Sequence, residues 1–321
     1  MKILITGGAG FIGSNLAEKL LHDGRVAHVR VLDNLATGSL KNFASFKDHP
    51  NFEFLEGDIR NFDTCLKACE GIDLITHQAA LGSVPRSIAD PLTTNDVNIT
   101  GTLNIFTAAK EKKISRIVYA ASSSTYGDHP GLPKVEDRIG NPLSPYAVTK
   151  YVNELYARVY ASLYNIEFIG LRYFNIFGPR QNPNGPYAAV IPLFAESLLN
   201  SKPPTINGDG KHSRDFTFVE NAVQANVLAL FTNDKEAVNQ VYNIACGEQT
   251  SLIQLFDYLK QEAGSNMKPV HGPERTGDVK HSLADISKAI LLLKYKPAVS
   301  VKEGLKQTYQ WYKAQKELAP Q

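Results

Sequence analysis

Apolar residues in the first half of the chain follow two alternating patterns. Short runs occur at Ile3-Leu4-Ile5, Val29-Arg30-Val31-Leu32, Phe52-Glu53-Phe54-Leu55, Leu74-Ile75-Thr76, Ile117-Val118-Tyr119-Ala120 and Phe168-Ile169-Gly170-Leu171. Among them lie longer stretches whose apolar positions recur every three or four residues. One is Phe11 to His22, with Ile12, Leu16, Leu20 and Leu21; others run from about Val97 to Lys112 and from about Pro145 to Tyr164. Consecutive apolar positions mark strands buried on both faces, and helices between them supply the crossovers that parallel strands need. The pattern predicts a doubly wound α/β domain with a parallel Rossmann-type sheet over residues 1–172.

After Tyr173 the texture changes. Segments rich in Pro, Gly and Asn (Gly178 to Tyr187, Lys202 to Gly210) interrupt shorter elements, and helical periodicity returns at Val219 to Phe231, Leu252 to Glu262 and Val301 to Tyr312. Residues 173–321 read as a smaller α/β domain, partly interleaved with late strands of the main sheet. No internal repeat interrupts this division.

Composition narrows the class. Apolar types make up 43% and charged types 21%, which excludes a disordered chain. With 34 basic and 32 acidic side chains the net charge is +2, and no cluster of Lys and Arg points to nucleic acid. No apolar stretch approaches the ~20 residues of a membrane span. The first apolar run ends after three residues, too short for the core of a secretory leader. Cys65, Cys69 and Cys246 are odd in number, and neither they nor the eight His have metal-ligand spacing, so no metal is expected. Cys65 and Cys69 share a helical face and read as packing. The expectation is a cytoplasmic enzyme.

Its chemistry begins at Gly7-Gly8-Ala9-Gly10-Phe11-Ile12-Gly13, which follows a strand and opens a helix. Glycines there let backbone N–H groups at a helix N-terminus reach a pyrophosphate with no Cβ in the way. Asp33 ends the second strand, 20 positions after Gly13, where a carboxylate binds the adenosine ribose hydroxyls. Asn34 follows with no Arg to receive a 2′-phosphate, which favours NAD over NADP. Asp58, after the third strand, suits the adenine amino group, and Gln78-Ala79-Ala80 lies at the carboxyl edge of the fourth.

Tyr146 and Lys150 are four apart, so on a helix they face the same way. An ammonium beside a phenol lowers its pKa and makes it a usable base. Tyr309 with Lys313 and Tyr312 with Lys316 repeat the spacing, but on a polar C-terminal helix, where they read as surface residues. Tyr146 opens the helix after strand five, and that strand ends in Ser122-Ser123-Ser124 at the edge where ligands bind. A hydroxyl there can hold a substrate oxygen while a tyrosine moves its proton, the pairing that NAD chemistry on an alcohol requires.

These segments, with Gly57-Asp58, His77-Gln78-Ala79-Ala80, Ser122-Ser123-Ser124-Thr125-Tyr126-Gly127, Tyr146-Ala147-Val148-Thr149-Lys150, Arg172-Tyr173-Phe174-Asn175, Arg214-Asp215-Phe216 and Arg275-Thr276-Gly277-Asp278, resemble the extended short-chain dehydrogenase/reductase family. Leu81-Gly82-Ser83-Val84-Pro85-Arg86-Ser87 and His281-Ser282-Leu283-Ala284-Asp285 are similar to its UDP-sugar 4-epimerases, particularly those acting on UDP-N-acetylglucosamine.

The resemblance implies a tightly held NAD bound by Gly7, Gly10, Phe11, Ile12, Gly13, Asp33, Asn34, Asp58, Ile59, Gln78, Ala79, Ala80, Tyr146, Lys150 and Tyr173. It implies Tyr146 as base, Lys150 as its tuning partner, Ser122 or Ser123 as catalytic hydroxyl, and Ser124 on the sugar. Gly82, Ser83, Asn175, Ala189, Val190, Asn207, Arg214, Arg275, Asp278 and Ser282 would hold the UDP-sugar. Ser282 stands where epimerases of plain hexoses resemble a tyrosine, and with Gly82 and Ala189 it would leave room for an acetamido group. Ser123-Ser124 stand where sugar dehydratases carry Asp-Glu, which argues against dehydration. A UDP-glucuronate 4-epimerase or decarboxylase remains an alternative, as does a non-catalytic NAD-binding regulatory protein. A homodimer through the helices near Gly101 and Tyr151 is implied by the resemblance alone.

Overall fold

A computed structural model describes residues 1–183, 188–273 and 280–318. Its first half runs β1 (Lys2–Thr6), α1 (Phe11–Leu21), β2 (His28–Asp33), β3 (Phe52–Glu56), α2 (Phe62–Ala68), β4 (Leu74–His77), α3 (Val84–Ala89), α4 (Pro91–Asn95), α5 (Thr102–Glu111), β5 (Arg116–Ser122), α6 (Pro145–Tyr164) and β6 (Glu167–Tyr173). The second half continues with β7 (Ile176–Phe177), α7 (Val190–Leu199), β8 (Thr205–Asn207), β9 (Ser213–Arg214), β10 (Thr217–Phe218), α8 (Val219–Phe231) and β11 (Gln240–Ile244). It closes with β12 (Thr250–Ser251), α9 (Leu252–Glu262), β13 (Val270–Gly272), α10 (Ser287–Leu293) and α11 (Val301–Leu318).

Seven strands form one parallel sheet in the order β3-β2-β1-β4-β5-β6-β11. The order reverses between β1 and β4, which opens a crevice at their carboxyl ends. Strand periodicity sorts the core into two layers. Ile3, Ile5, Val29 and Val31 face one cluster with Leu16 and Leu20 of α1, Val223 and Leu230 of α8, and residues of α7, α9 and α11. Leu4, Leu32, Ile75 and Ile117 face the other, with Cys65 of α2 and Ile105 and Phe106 of α5. The seventh strand belongs to the second half: β11 pairs with β6, Asn243 opposite Arg172.

Local chemistry sets several boundaries. Ser144 accepts from Ala147 N at 3.1 Å and Pro145 stands in the first turn, so α6 starts beside the catalytic candidate; Asn165 in the left-handed region ends it. The helix expected from about Val97 starts earlier. Asp90 caps it by accepting from Thr93 N at 3.1 Å, and Pro91 costs nothing in a first turn whose N–H groups have no helical partner. It passes through a π-helical turn, Asp96–Gly101, into α5. The expectation that Tyr309 and Tyr312 lie on the surface is corrected: both phenols are buried in the core. Helix α11 buries Val301, Gly304, Leu305, Thr308, Tyr309 and Tyr312, a stripe at helical spacing that its many polar residues conceal.

Candidate active site

The crevice holds a cavity of about 580 Å³, lined by every residue assigned to the cofactor above. Gly7 has φ +70, and a Cβ there would lie 2.6 Å from Ala79 N. A Cβ on Gly13 would lie 2.3 Å from the Gly7 carbonyl oxygen. Only glycine lets the turn close this tightly, and no side chain caps the first turn of α1, so its N-terminal amides face the cavity's own chemistry. Asp33 fixes the loop: its two oxygens accept from Ala9 N at 2.9 Å and Leu35 N at 2.8 Å. Burial pushes its carboxyl up, and those two backbone bonds oppose the rise. At the same end Asp58 accepts from Asn34 Nδ2 at 2.8 Å and pairs with Arg60, whose guanidinium holds the carboxyl at about 2. Arg60 is a cavity residue that the sequence reading passed over.

Beneath the turn, His77 bridges Thr6 Oγ1 at 2.6 Å and Thr102 Oγ1 at 2.9 Å. Burial drives its imidazole down to about 3, so it is a neutral strut between β1 and α5. Gln78 joins a second network. Its Nε2 donates to Thr76 Oγ1 at 2.9 Å and Asn226 Oδ1 at 3.0 Å, and its Oε1 accepts from the Tyr173 hydroxyl at 3.0 Å. Asn226 comes from α8, so one amide of the second half orients two cofactor-cavity side chains. Nothing in its local sequence announces this.

At the end of β5, Ser122 Oγ accepts from Ser124 N at 3.1 Å and caps a short turn over Ser123–Tyr126. Ser122, Ser123 and Ser124 all line the cavity, as do Tyr146 and Lys150. The Tyr146 hydroxyl is hydrogen-bonded with Ser122; burial raises its pKa and that bond opposes the rise. The lowering expected from Lys150 does not appear in this geometry. Lys150 Nζ instead donates to Ala120 O at 2.8 Å, and burial brings the ammonium down to about 8. Asn98, in the π-helical turn, accepts from Leu81 N at 2.8 Å and donates to Thr149 Oγ1 at 3.1 Å. It ties the Gly82–Ser83 loop to the helix that carries Tyr146.

Gly82 and Ser83 line this first cavity; Asn175 and Ile176 line it and also a second, of about 650 Å³. Ala189, Val190, Asn207 and Arg214 line the second. Ser282 lines neither; its N–H donates to Ser213 O at 3.1 Å beside Arg214. Asp215 fastens that region, accepting from Cys246 N, Gly247 N and Ala284 N at 3.0–3.2 Å. Arg275 and Asp278 lie outside the described residues. Among the described residues no group of three or more His, Cys, Asp or Glu could hold a metal, and no helix is long and apolar enough to cross a membrane.

Residues 3–245 match the model of the NAD dependent epimerase/dehydratase family. The chain belongs to that family. Its cofactor is NAD, and the glycine cradle and the ribose-side carboxylate of Asp33 fit it. A family member from Mycolicibacterium smegmatis, UDP-glucose 4-epimerase, is 36% identical over 315 residues, covering 98% of this chain and 99% of its own. The solved UDP-N-acetylglucosamine 4-epimerase of Methanobrevibacter ruminantium, in complex with UDP-N-acetylmuramic acid, is 38% identical and superposes with a TM-score of 0.92 over 98% of both chains. The UDP-glucuronic acid 4-epimerase of Bacillus cereus, solved with UDP-glucuronic acid and NAD, is 35% identical with a TM-score of 0.90, covering 98% of this chain and 100% of its own.

Proposed function

We propose that this chain is a UDP-hexose 4-epimerase whose substrate pair is UDP-N-acetylglucosamine and UDP-N-acetylgalactosamine. The observation that carries the reading is the junction of the two cavities at Asn175 and Ile176. A molecule long enough to reach through it can lay a diphosphate along Arg214 and bring a sugar to Tyr146 and Ser122. The glycine turn and Asp33 would hold NAD, which would supply the hydride acceptor and donor for carbon 4 of the sugar.

The chain's own residues do the rest. Tyr146 takes the 4-hydroxyl proton as the carbonyl forms and gives it back after the 4-keto sugar has turned its other face. Ser122, bonded to Tyr146, holds the sugar oxygen in line for that exchange. Lys150, anchored on Ala120 O, supplies positive charge to the same cavity while protonated, below about pH 8. An Arg fork suits the diphosphate because it bonds two oxygens at once.

Small side chains support the acetylated sugar: a Cβ on Gly82 would meet nothing within 4 Å, and Ala189 is exposed at the cavity wall. Purified holoprotein incubated without added cofactor should therefore convert UDP-N-acetylglucosamine, with the products resolved by chromatography. Turnover of UDP-glucuronate alone would reassign the substrate, and a decarboxylated product would reassign the reaction. Ser282 lines neither cavity but lies beside Arg214, and a tyrosine ring there can reach toward the sugar, so Ser282→Tyr should cut turnover of the acetylated sugar about tenfold or more while sparing UDP-glucose. Equal rates on both sugars would remove Ser282 from the specificity argument.

We further infer a homodimer. Helix α6 exposes Val148, Leu155, Val159 and Leu163 along one face, and Ile88 and Leu92 are exposed on α3 and α4, which pack against it. A continuous apolar patch of this kind marks an interface. Leu155→Lys with Val159→Lys should move the sedimentation coefficient from that of a dimer to that of a monomer, and an unchanged coefficient would remove this face from the interface.

A further inference from the structure

The segment after β7 leaves the wall of the second cavity and crosses to the outer face of α1. Arg180 stands there at φ +70, a backbone state that a non-glycine residue keeps only where its surroundings fix it. Helix α1 and the loop beside it fix it. The guanidinium donates to Ser14 O at 3.0 Å and to Ser45 Oγ at 3.1 Å, and it pairs with the Glu18 carboxylate. The other oxygen of Glu18 accepts from Ser45 Oγ at 2.6 Å. One residue earlier, Pro179 O accepts from Asn15 Nδ2 at 3.1 Å. One residue later, Gln181 lines the second cavity, and its carbonyl accepts from the Tyr312 hydroxyl of α11. The chain is thus pinned on both sides of a cavity-wall residue, and one pin is the helix whose glycine turn holds the cofactor.

We propose that Glu18 and Arg180 form a latch through which the cofactor helix positions the wall of the second cavity. Glu18 is then a positioning residue for nucleotide-sugar binding, although it lines neither cavity. The proposal rests on the reading of that cavity as the UDP-sugar site. The pair is suited to the task because both partners are mostly withdrawn from solvent, with Arg180 13% and Glu18 33% exposed at the side chain. A fork held by two oxygens and a carboxylate transmits position more sharply than an exposed ion pair does. Were the pair only a stitch in the fold, its loss would lower stability and leave ligand affinity alone.

The test uses NAD-loaded protein and UDP as the probe. Glu18→Ala should weaken UDP binding about tenfold by calorimetry and raise KM in step, with kcat held within about twofold, as for a coupling between sites. Bound NAD should be unchanged. Glu18→Gln keeps one oxygen for Arg180 and turns its amide N–H toward Ser45 Oγ, which can accept from it, so it should stay within about threefold of wild type.

Trp311, the chain's single tryptophan, gives a readout that needs no sugar. It lines a third cavity with Arg180 and Gln181 and packs edge-on against Tyr312 at 5.0 Å. Its emission should shift in Glu18→Ala and not in Glu18→Gln. Wild-type UDP affinity with unmoved emission in Glu18→Ala overturns the latch, and so does a loss of NAD together with UDP, which would mean that α1 had collapsed. If Glu18→Ala does not fold, Arg180→Lys, which keeps charge without the fork, is judged by the same measurements. If wild-type holoprotein fails to bind UDP, the nucleotide reading falls, and the Trp311 shift alone decides the latch.

Discussion

Tyr146→Phe is expected to lose turnover by about three orders of magnitude, the middle of the range for removing a positioned general base, while keeping its full content of NAD. The ring stays and only the hydroxyl goes, so the packing at the first turn of α6 is preserved. What disappears is the oxygen hydrogen-bonded with Ser122 at the carboxyl edge of β5. Among the described residues no other phenol at this cavity can replace it. Tyr173 lines the same cavity, but its hydroxyl is engaged by Gln78 and Asn226 and is pushed up to about 12 by burial. Steady-state rates on UDP-sugars, set beside the NAD released on denaturation, check the expectation. A variant within tenfold of wild type would remove Tyr146 from the chemistry.

The second large effect is expected on cofactor retention. Gly13→Ala should abolish tight NAD binding, by about a hundredfold or more in affinity, because the helix N-terminus that receives the pyrophosphate must move to relieve the clash. The new Cβ would stand 2.3 Å from the Gly7 carbonyl oxygen and 2.7 Å from Gly8 Cα, both backbone atoms that cannot swing aside. Gly10→Ala meets Gly7 O at 3.1 Å, a contact that a small shift relieves, so its loss should be smaller. Gly24→Ala has nothing within 4 Å and serves as the neutral control. The amount of NAD released by acid from each purified variant ranks the three. An order other than Gly13, Gly10, Gly24 would contradict the close-approach argument.

These two sites were open to sequence reading because their signals are local. A glycine turn, a carboxylate at a strand end and a Tyr–Lys pair on one helical face each lie within a few residues. The same holds for α6, α8 and α9, whose observed limits coincide with the periodic stretches. Proline hid two helices. Pro85 in α3 and Pro192 in α7 look like breakers, yet each sits in a first turn, where its missing N–H costs nothing. Strand β11 is as long as β1 and β3, but Gln240 and Asn243 break its apolar run, and its burial comes from pairing with β6 across a long stretch of chain. Asn98 and Asn226 escaped because they act through tertiary contacts, and Arg60 because its local pair with Asp58 reads as an ordinary surface ion pair. Asn226 reaches Thr76 and Gln78 from 150 and 148 positions away. Tyr309 and Tyr312 misled because polar and charged residues together outnumber apolar ones along α11.

The pairing of β11 with β6 bears on how such enzymes can be recombined. Cutting the chain at 172/173 to transplant one specificity module onto another nucleotide-binding module would strip β6 of its neighbour and leave a row of unsatisfied amides and carbonyls. An edge of that kind recruits foreign strands and precipitates. Chimeras meant to trade sugar preference should instead keep residues 219–244 with the amino-terminal parent, so that α8 and β11 travel with the sheet they complete.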